Sequence, residues 1–394
     1  MPAHRVGTSP PVSYWHAVIA ISLAMFGLVS AELLPISLVS PIADDLGVSV
    51  GRAGQAITAT ALIAAAASPV VIIGARRFDR RRLVTLLTAA IFISAGLTAV
   101  AQSYEALLAA RAILGVSLGG LWALTTSLAL RLVPSWEVPR AMSVIFTAVT
   151  AAGVFAPSAG LFMTQFWGWR GSFAAVAVFG LVALFAVLRT LPDLTAAPDN
   201  ASASLQTVLA RPSVMLGLLT VLLVLAGHFA GFTYIRPILV QLAQLNDGHI
   251  AAALLLFGIA GVIGSACAGK LAQFSSAGGA AASAALAALA MFALTFLGNA
   301  IATAMALVTV WGLAFGVFPV CMSTWNAESA PNQAERAGAL MATSFQIAIA
   351  IGASVGGLVF DNLGAAVLVL VAAMTVSSGA LVMLPGLMIE RKRS

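Results

Sequence analysis

The twenty residues AITATALIAAAASPVVIIGA, Ala56 to Ala75, decide what kind of protein this is. They are apolar on every side, whereas a membrane-spanning β-strand alternates lipid-facing apolar with lumen-facing polar residues, so an outer-membrane barrel is excluded. Coiled as a helix, twenty residues rise about 30 Å, the thickness of the hydrocarbon core of a bilayer. The rest of the chain repeats the pattern. Of 394 residues, 61% are hydrophobic and 8% charged, and the mean hydropathy is +1.05. A soluble protein carries roughly a quarter charged residues, so the chain is expected to live in a membrane as a polytopic all-α protein.

Continuous apolar runs broken by Gly, Pro or charge place spans near 15–38, 51–74, 83–101, 105–130, 140–164 and 171–190. A second set follows near 213–240, 249–272, 278–297, 301–325, 335–358 and 364–388. Between them lies LPDLTAAPDNASASLQTVLARP, Leu191 to Pro212, the one long polar segment. The expected organisation is therefore a six-helix half over 1–190, a cytoplasmic linker over 191–212 and a second six-helix half over 213–394. The first apolar run, Trp15 to Leu38, exceeds the 7 to 15 residues of a signal-peptide core, and reads as a retained first span.

The net charge of +6 does not indicate a nucleic-acid partner, because the basic residues sit at span ends and form no extended face. With the N-terminus inside, fifteen of the nineteen Lys and Arg fall on inner loops and three on outer ones, Arg52, Arg170 and Arg236. That asymmetry predicts that both termini face the cytoplasm. Cys267 and Cys321 lie inside apolar runs and give neither a disulfide framework nor a metal signature. The two halves align at an offset of 196 residues: Pro41 meets Pro237, Gly120 meets Gly316 and Arg140 meets Arg336. A parallel duplication of six spans suits a carrier whose halves rock around a site near the bilayer midplane.

Several segments resemble the major facilitator superfamily, and within it the twelve-span drug/proton antiporters. ELLPISLVSPIADDLG, Glu32 to Gly47, resembles that branch's paired-proline pattern, and RAILGVSLGG, Arg111 to Gly120, its buried-arginine motif. ARRFDRRRL, Ala75 to Leu83, is similar to the cytoplasmic loop motif, with Asp79, Arg80 and Arg82 as its gate residues, although Ala75 and Arg82 stand where glycines belong. AGVFAPSAG, Ala152 to Gly160, resembles the antiporter motif through Gly153, Pro157 and Gly160, with Ala156 replacing the glycine before Pro157. At finer grain RAILGVSLGGLWALTTSLALRLVP, VPRAMSVIF, GWR, FTYIRP and STW are similar to bacterial purine ribonucleoside efflux pumps. The resemblance implies a proton-coupled exporter of the bacterial inner membrane.

Ionisable groups within the hydrocarbon are functional candidates. Glu32 is the one acidic residue well inside a span, about 25 Å along helix 1 at 1.5 Å per residue. Arg111 enters helix 4 from the other side, roughly 9 Å deep, at a comparable level. Since the resemblance places helices 1 and 4 side by side, the two form a candidate proton-coupling pair. A polar packing anchor at Glu32 and a snorkelling Arg111 are the alternatives. His228 occupies the 196-offset position of Glu32 and is a third coupling candidate, or a hydrogen-bonded core histidine. Asp79 either gates against the start of helix 11, at Asn332 and Glu335, or merely helps fix the loop inside.

The resemblance also puts helices 1, 4, 7 and 10 around the cavity. Their substrate candidates are Phe26, Trp122, Thr126, Phe232, Tyr234, Trp311, Trp325 and Asn326, whose rings suit a planar base and whose polar groups suit a ribose. Packing or lipid contact is the alternative for each ring. The same inventory suits a planar drug, so proton-coupled efflux of arabinose-type sugars or lipophilic drugs stands beside nucleoside export. An enzyme would need a nucleophile with its base or a metal cluster, and no such spacing occurs; a receptor or channel is the remaining class. The expected partners are a small-molecule substrate, protons and the lipid bilayer, around a monomer with the proton gradient in place of a cofactor.

Overall fold

The computed structural model describes residues 13–74, 79–134, 136–194, 209–330 and 333–391, and among them every regular element is a helix. The linker core (195–208), Asn332, and the side chains of Thr126, Glu335 and Arg336 lie outside the described residues. α1 (Trp15–Leu46) runs through Pro35 and Pro41 and ends where Gly47 turns left-handed, φ 62°. α2 (Val50–Gly74), α3 (Arg80–Ala99) and α4 (Tyr104–Leu132) follow. Side-chain caps start several helices: Asp79 accepts from the Arg81 amide on α3, and Ser103 from Ala106 on α4.

The segment Val138–Thr190 is helical throughout except at Gly168, with φ 63° and ψ 177°, which divides it into α5 (138–167) and α6 (169–190). The chain reverses there. Ser172 Oγ donates to the carbonyl of Gly160 at 2.9 Å, although twelve residues of straight helix would part them by about 18 Å. In the second set come α7 (Pro212–Phe232), α8 (Ile235–Ala243), α9 (Asp247–Phe274), α10 (Ser276–Leu297) and α11 (Ile301–Ser329). Ala334–Arg391 is broken at Gly364, φ 83° and ψ 178°, into α12 (334–363) and α13 (365–391). Gly364 lies 196 positions after Gly168, the same offset that aligns the two sets of spans.

Ten described helices are long and apolar enough to cross a bilayer, and the two glycine reversals divide the longest pair, which fits twelve crossings. One expected span differs in detail: the run near 213–240 is interrupted at Thr233 and Tyr234. Pro237 has no N–H to return to the Thr233 carbonyl, so the helix lacks a bond at this point. Helix succession puts the start of α1 and the end of α13 at one end of the bundle, here the termini end. The α1–α2 turn and both glycine reversals lie at the other, the far end.

α2 packs on α4 because Gly115 and Gly119 are bare: a Cβ there would sit 2.6 Å from the Thr60 carbonyl oxygen and 2.3 Å from that of Ala64. The buried core is distributed unevenly. One cluster, including Ile21, Leu28, Leu118 and Leu128, belongs to α1–α6 alone and lies toward the termini end. The larger cluster joins Leu38, Ile57 and Phe173 to residues of α7–α13, and its members from α1–α6 come from their far-end portions. The two sets of helices therefore share a core at the far end, and the conformation is closed there.

Candidate substrate and proton site

Pro35 sets up the polar centre of the first six helices. Its missing N–H leaves the carbonyl of Ala31 without the usual helical donor. Arg111, 1% exposed, fills that vacancy from α4: Nη1 donates to Ala31 O at 2.7 Å, Nη2 to Glu32 O at 3.4 Å, and Nε to Ala56 O on α2 at 3.4 Å. Thr60 Oγ1 closes the ring by donating to the carbonyls of Ala56 and Arg111. The guanidinium is thus a clamp across α1, α2 and α4, and snorkelling does not describe it. The structure brings Glu32 and Arg111 together, but their hydrogen bond runs through the Glu32 main chain. The Glu32 side chain is half-buried, on the same turn of α1 that the Arg111 guanidinium grips.

His228 has different company. Its ring, 2% exposed, stacks on Phe315 with centroids 3.7 Å apart, and lies among Phe229, Phe232, Phe257 and Trp311. Trp311 Nε1 donates to its Nδ1 at 3.1 Å, so the other nitrogen, Nε2, carries the proton of the neutral ring. Nε2 has no hydrogen-bond partner. The repeat-equivalent positions 32 and 228 thus hold a polar clamp and an aromatic cage.

The substrate candidates fall into two groups. Phe26 and Trp122 are half-buried; Phe26 lines a cavity of about 200 Å³ with Ser30, Phe155, Gly160 and Phe179, between α1, α5 and α6. Gly160 of the antiporter-like segment faces Leu34 of α1 in this cavity wall. Phe232, Trp311, Trp325 and Asn326 are buried in this conformation. Trp325 Nε1 donates to the Ser213 carbonyl. Tyr234 is 0% exposed, and its hydroxyl donates to Ala353 O at 2.7 Å, so it belongs to the contact between α2 and α12.

That contact is a polar seam sequence reasoning did not single out. At the far end Asp361 of α12 accepts from the Gly51 amide at 2.9 Å and from the Ser49 hydroxyl, capping the start of α2. Inward, Ser354 Oγ meets Gln55 Oε1 at 3.1 Å and Thr58 Oγ1 at 3.2 Å, and Thr58 reaches Ala350 O at 3.5 Å. The glycines along it are obligatory, since a Cβ on Gly357 would stand 2.9 Å from Gly51 Cα. At the termini end Asp79 caps α3, Arg80 donates to Ser127 Oγ on α4 at 2.7 Å, Arg81 pairs with Asp193 at 2.7 Å, and Arg82 is exposed. These contacts stay within the first half; the expected partners at the start of α12, Asn332 and the Glu335 side chain, are outside the described residues.

Comparison with known proteins agrees with this architecture. Residues 18–353 match the Major Facilitator Superfamily. A purine ribonucleoside efflux pump NepI of Shigella dysenteriae serotype 1 (strain Sd197) is 38% identical over 378 residues, covering 96% of this chain and 94% of the relative. Its counterpart in Escherichia coli (strain K12) is 37% identical over the same shares. Among solved structures, the D-xylose-proton symporter superposes with a TM-score of 0.77 at 15% identity, over 94% of this chain and 98% of that one. A mutant of the nucleoside transporter NupG gives 0.77 at 12% identity, over the same shares.

Proposed function

Because this chain belongs to the major facilitator superfamily, we propose that it exports purine ribonucleosides across the bacterial inner membrane in exchange for protons. The observation that carries the substrate is the similarity along nearly the whole chain to relatives named as purine ribonucleoside efflux pumps. In this reading the two six-helix halves rock as a monomer, both termini are cytoplasmic and the far end is periplasmic. The conformation closed at the far end is then the one that takes substrate from the cytoplasm.

Glu32 is the proton carrier. An exchanger needs a group charged in one stage and neutral in another, and Glu32 is a carboxylic acid well inside the first span, on the turn that Arg111 grips. Arg111 holds the helices that shape the site, and the proton gradient supplies the energy. A base stacks on the half-buried rings, Phe26 and Trp122 first, and deeper rings join as the halves move. The Asp79 to Arg82 loop gates the cytoplasmic side.

Overexpression tests the substrate. Cells should gain tolerance to toxic purine nucleosides such as 6-mercaptopurine riboside and release more inosine and guanosine into the medium. Tolerance gained only toward lipophilic drugs, or export of arabinose alone, would move the assignment to those substrates.

A further inference from the structure

We propose that His228 is the residue that selects the purine: its Nε2–H donates to N7 of the base, which lies in the plane of the imidazole and stacks against Phe315 and Phe232. This role rests on the chain being a purine nucleoside exporter, and names the group that recognises the base.

A neighbour fixes which nitrogen carries the proton. Trp311 Nε1 donates to Nδ1 at 3.1 Å, and an indole N–H can only donate, so Nδ1 is an acceptor and the hydrogen of the neutral ring is on Nε2. That N–H is buried and has no hydrogen-bond partner among the described residues. Buried polar groups are nearly always paired, so an open donor calls for an explanation. The rings that pack on His228, those of Phe229, Phe232, Phe257, Trp311 and Phe315, offer it no side-chain acceptor. The acceptor that completes the site is a ligand's. His228 is held in place for it, because α7 packs closely here: a Cβ at Gly227 would stand 2.7 Å from the Ala372 carbonyl oxygen of α13, and one at Gly231 would stand 3.1 Å from the Trp311 ring.

The ring planes say what shape that ligand has. Phe315 lies 7° from parallel to His228 with centroids 3.7 Å apart, and Phe232 lies 23° from parallel at 5.1 Å. Phe257 continues the stack, 25° from Phe232 at 4.5 Å, while Trp311 stands across it, 79° from His228. A hydrogen bond from Nε2 runs in the imidazole plane. A flat acceptor meeting it edge to edge therefore lies nearly parallel to Phe315 and Phe232 and can stack on both in an offset arrangement. Phe315 is half-buried and the other four rings are buried, so the base arrives on the Phe315 side. The acceptor is N7 because every purine carries it and no pyrimidine does, whereas N3 of a purine lies against the ribose. One donor is then enough to select purines as a class.

The test compares guanosine with 7-deazaguanosine, in which a C–H replaces N7 and the shape is kept, by titration calorimetry on the purified full-length protein in detergent. The wild type should prefer guanosine by about tenfold, the worth of one hydrogen bond to a buried donor. His228→Asn keeps an acceptor for the Trp311 N–H but leaves nothing at the position of Nε2, so it should bind the two ligands equally. His228→Gln returns an N–H near that position and should recover part of the preference. A residue that only packs the cage would weaken both ligands alike and leave their ratio unchanged. Equal binding of the two by the wild type overturns the role of His228, as does a full wild-type preference in His228→Asn, or a folded His228→Gln that shows none. Failure of the broader reading looks different: a folded wild-type protein that binds neither guanosine nor 7-deazaguanosine is no purine nucleoside carrier, and both conclusions fall.

Discussion

Arg111 donates to the carbonyl of Ala31, at 2.7 Å, the one carbonyl that Pro35 deprives of its helical donor. The proline and the arginine are therefore two halves of one device. Pro35→Ala returns an N–H to α1 and sets it in competition with Arg111 for the same oxygen. We expect a protein with a melting temperature equal to or above the wild type, since a helix-interior proline costs up to about 3 kcal/mol. Transport should nevertheless slow several-fold. Arg111→Lys, which keeps the charge and loses the fork, should slow it about tenfold; initial rates in inverted vesicles check both.

Gly168 and Gly364 should be equivalent in energy. Both combine positive φ with ψ near 180°, a region essentially reserved for glycine, and a Cβ at either would meet nothing within 4 Å. The cost of Gly168→Ala or Gly364→Ala is then backbone strain alone, about 1–3 kcal/mol. Melting curves in detergent should show similar drops for the two. A drop confined to one would mean that the turns are not built alike.

Much of this architecture was readable in the sequence, because apolar runs of membrane length and an offset of 196 residues depend on composition and spacing alone. The rotational setting of each helix was not. α11 is apolar on all sides, with Trp311, Trp325 and Asn326 buried and Ser323 exposed, so the sequence offers no stripe that marks a cavity face. Tyr234 illustrates the consequence: it looked like a substrate contact, and it lies in the seam against Gly54 and Gly357. Glu32 and Arg111 stood out because charge is rare in a span. Gln55, Thr58 and Ser354 of the seam did not, since neutral polar side chains raise no such flag.

His228 should prove dispensable for coupling. Its Nδ1 is engaged by Trp311 and its ring is enclosed by phenylalanines. His228→Asn places an acceptor near the position of Nδ1 and should keep uphill transport. His228→Phe leaves the Trp311 N–H unpaired and should lower stability by about 1–3 kcal/mol. Thermal melts and transport by both variants decide between a packing and a coupling role; loss of uphill transport in a well-folded Asn variant would restore the coupling role.

Asp361 caps the first turn of α2 from the other half through Gly51 and Ser49. Asp361→Ala removes that cap at a partly exposed site, a change of about 1 kcal/mol or roughly fivefold in population. Far-end opening should increase accordingly, seen as faster reaction of a cysteine at Ser354 with an impermeant thiol reagent in a background lacking Cys267 and Cys321. Unchanged labelling would mean that the cap contributes nothing to closure.

The most direct test is uphill transport by Glu32→Gln in inverted vesicles under an imposed pH gradient. The substitution preserves size and hydrogen-bonding capacity and removes titration. Nucleoside binding should remain detectable but lose its pH dependence, while accumulation against a gradient and proton release on substrate addition should vanish; Glu32→Asp should keep part of both. Accumulation by Glu32→Gln at the wild-type rate would contradict proton carriage by Glu32 and leave it a structural residue of α1.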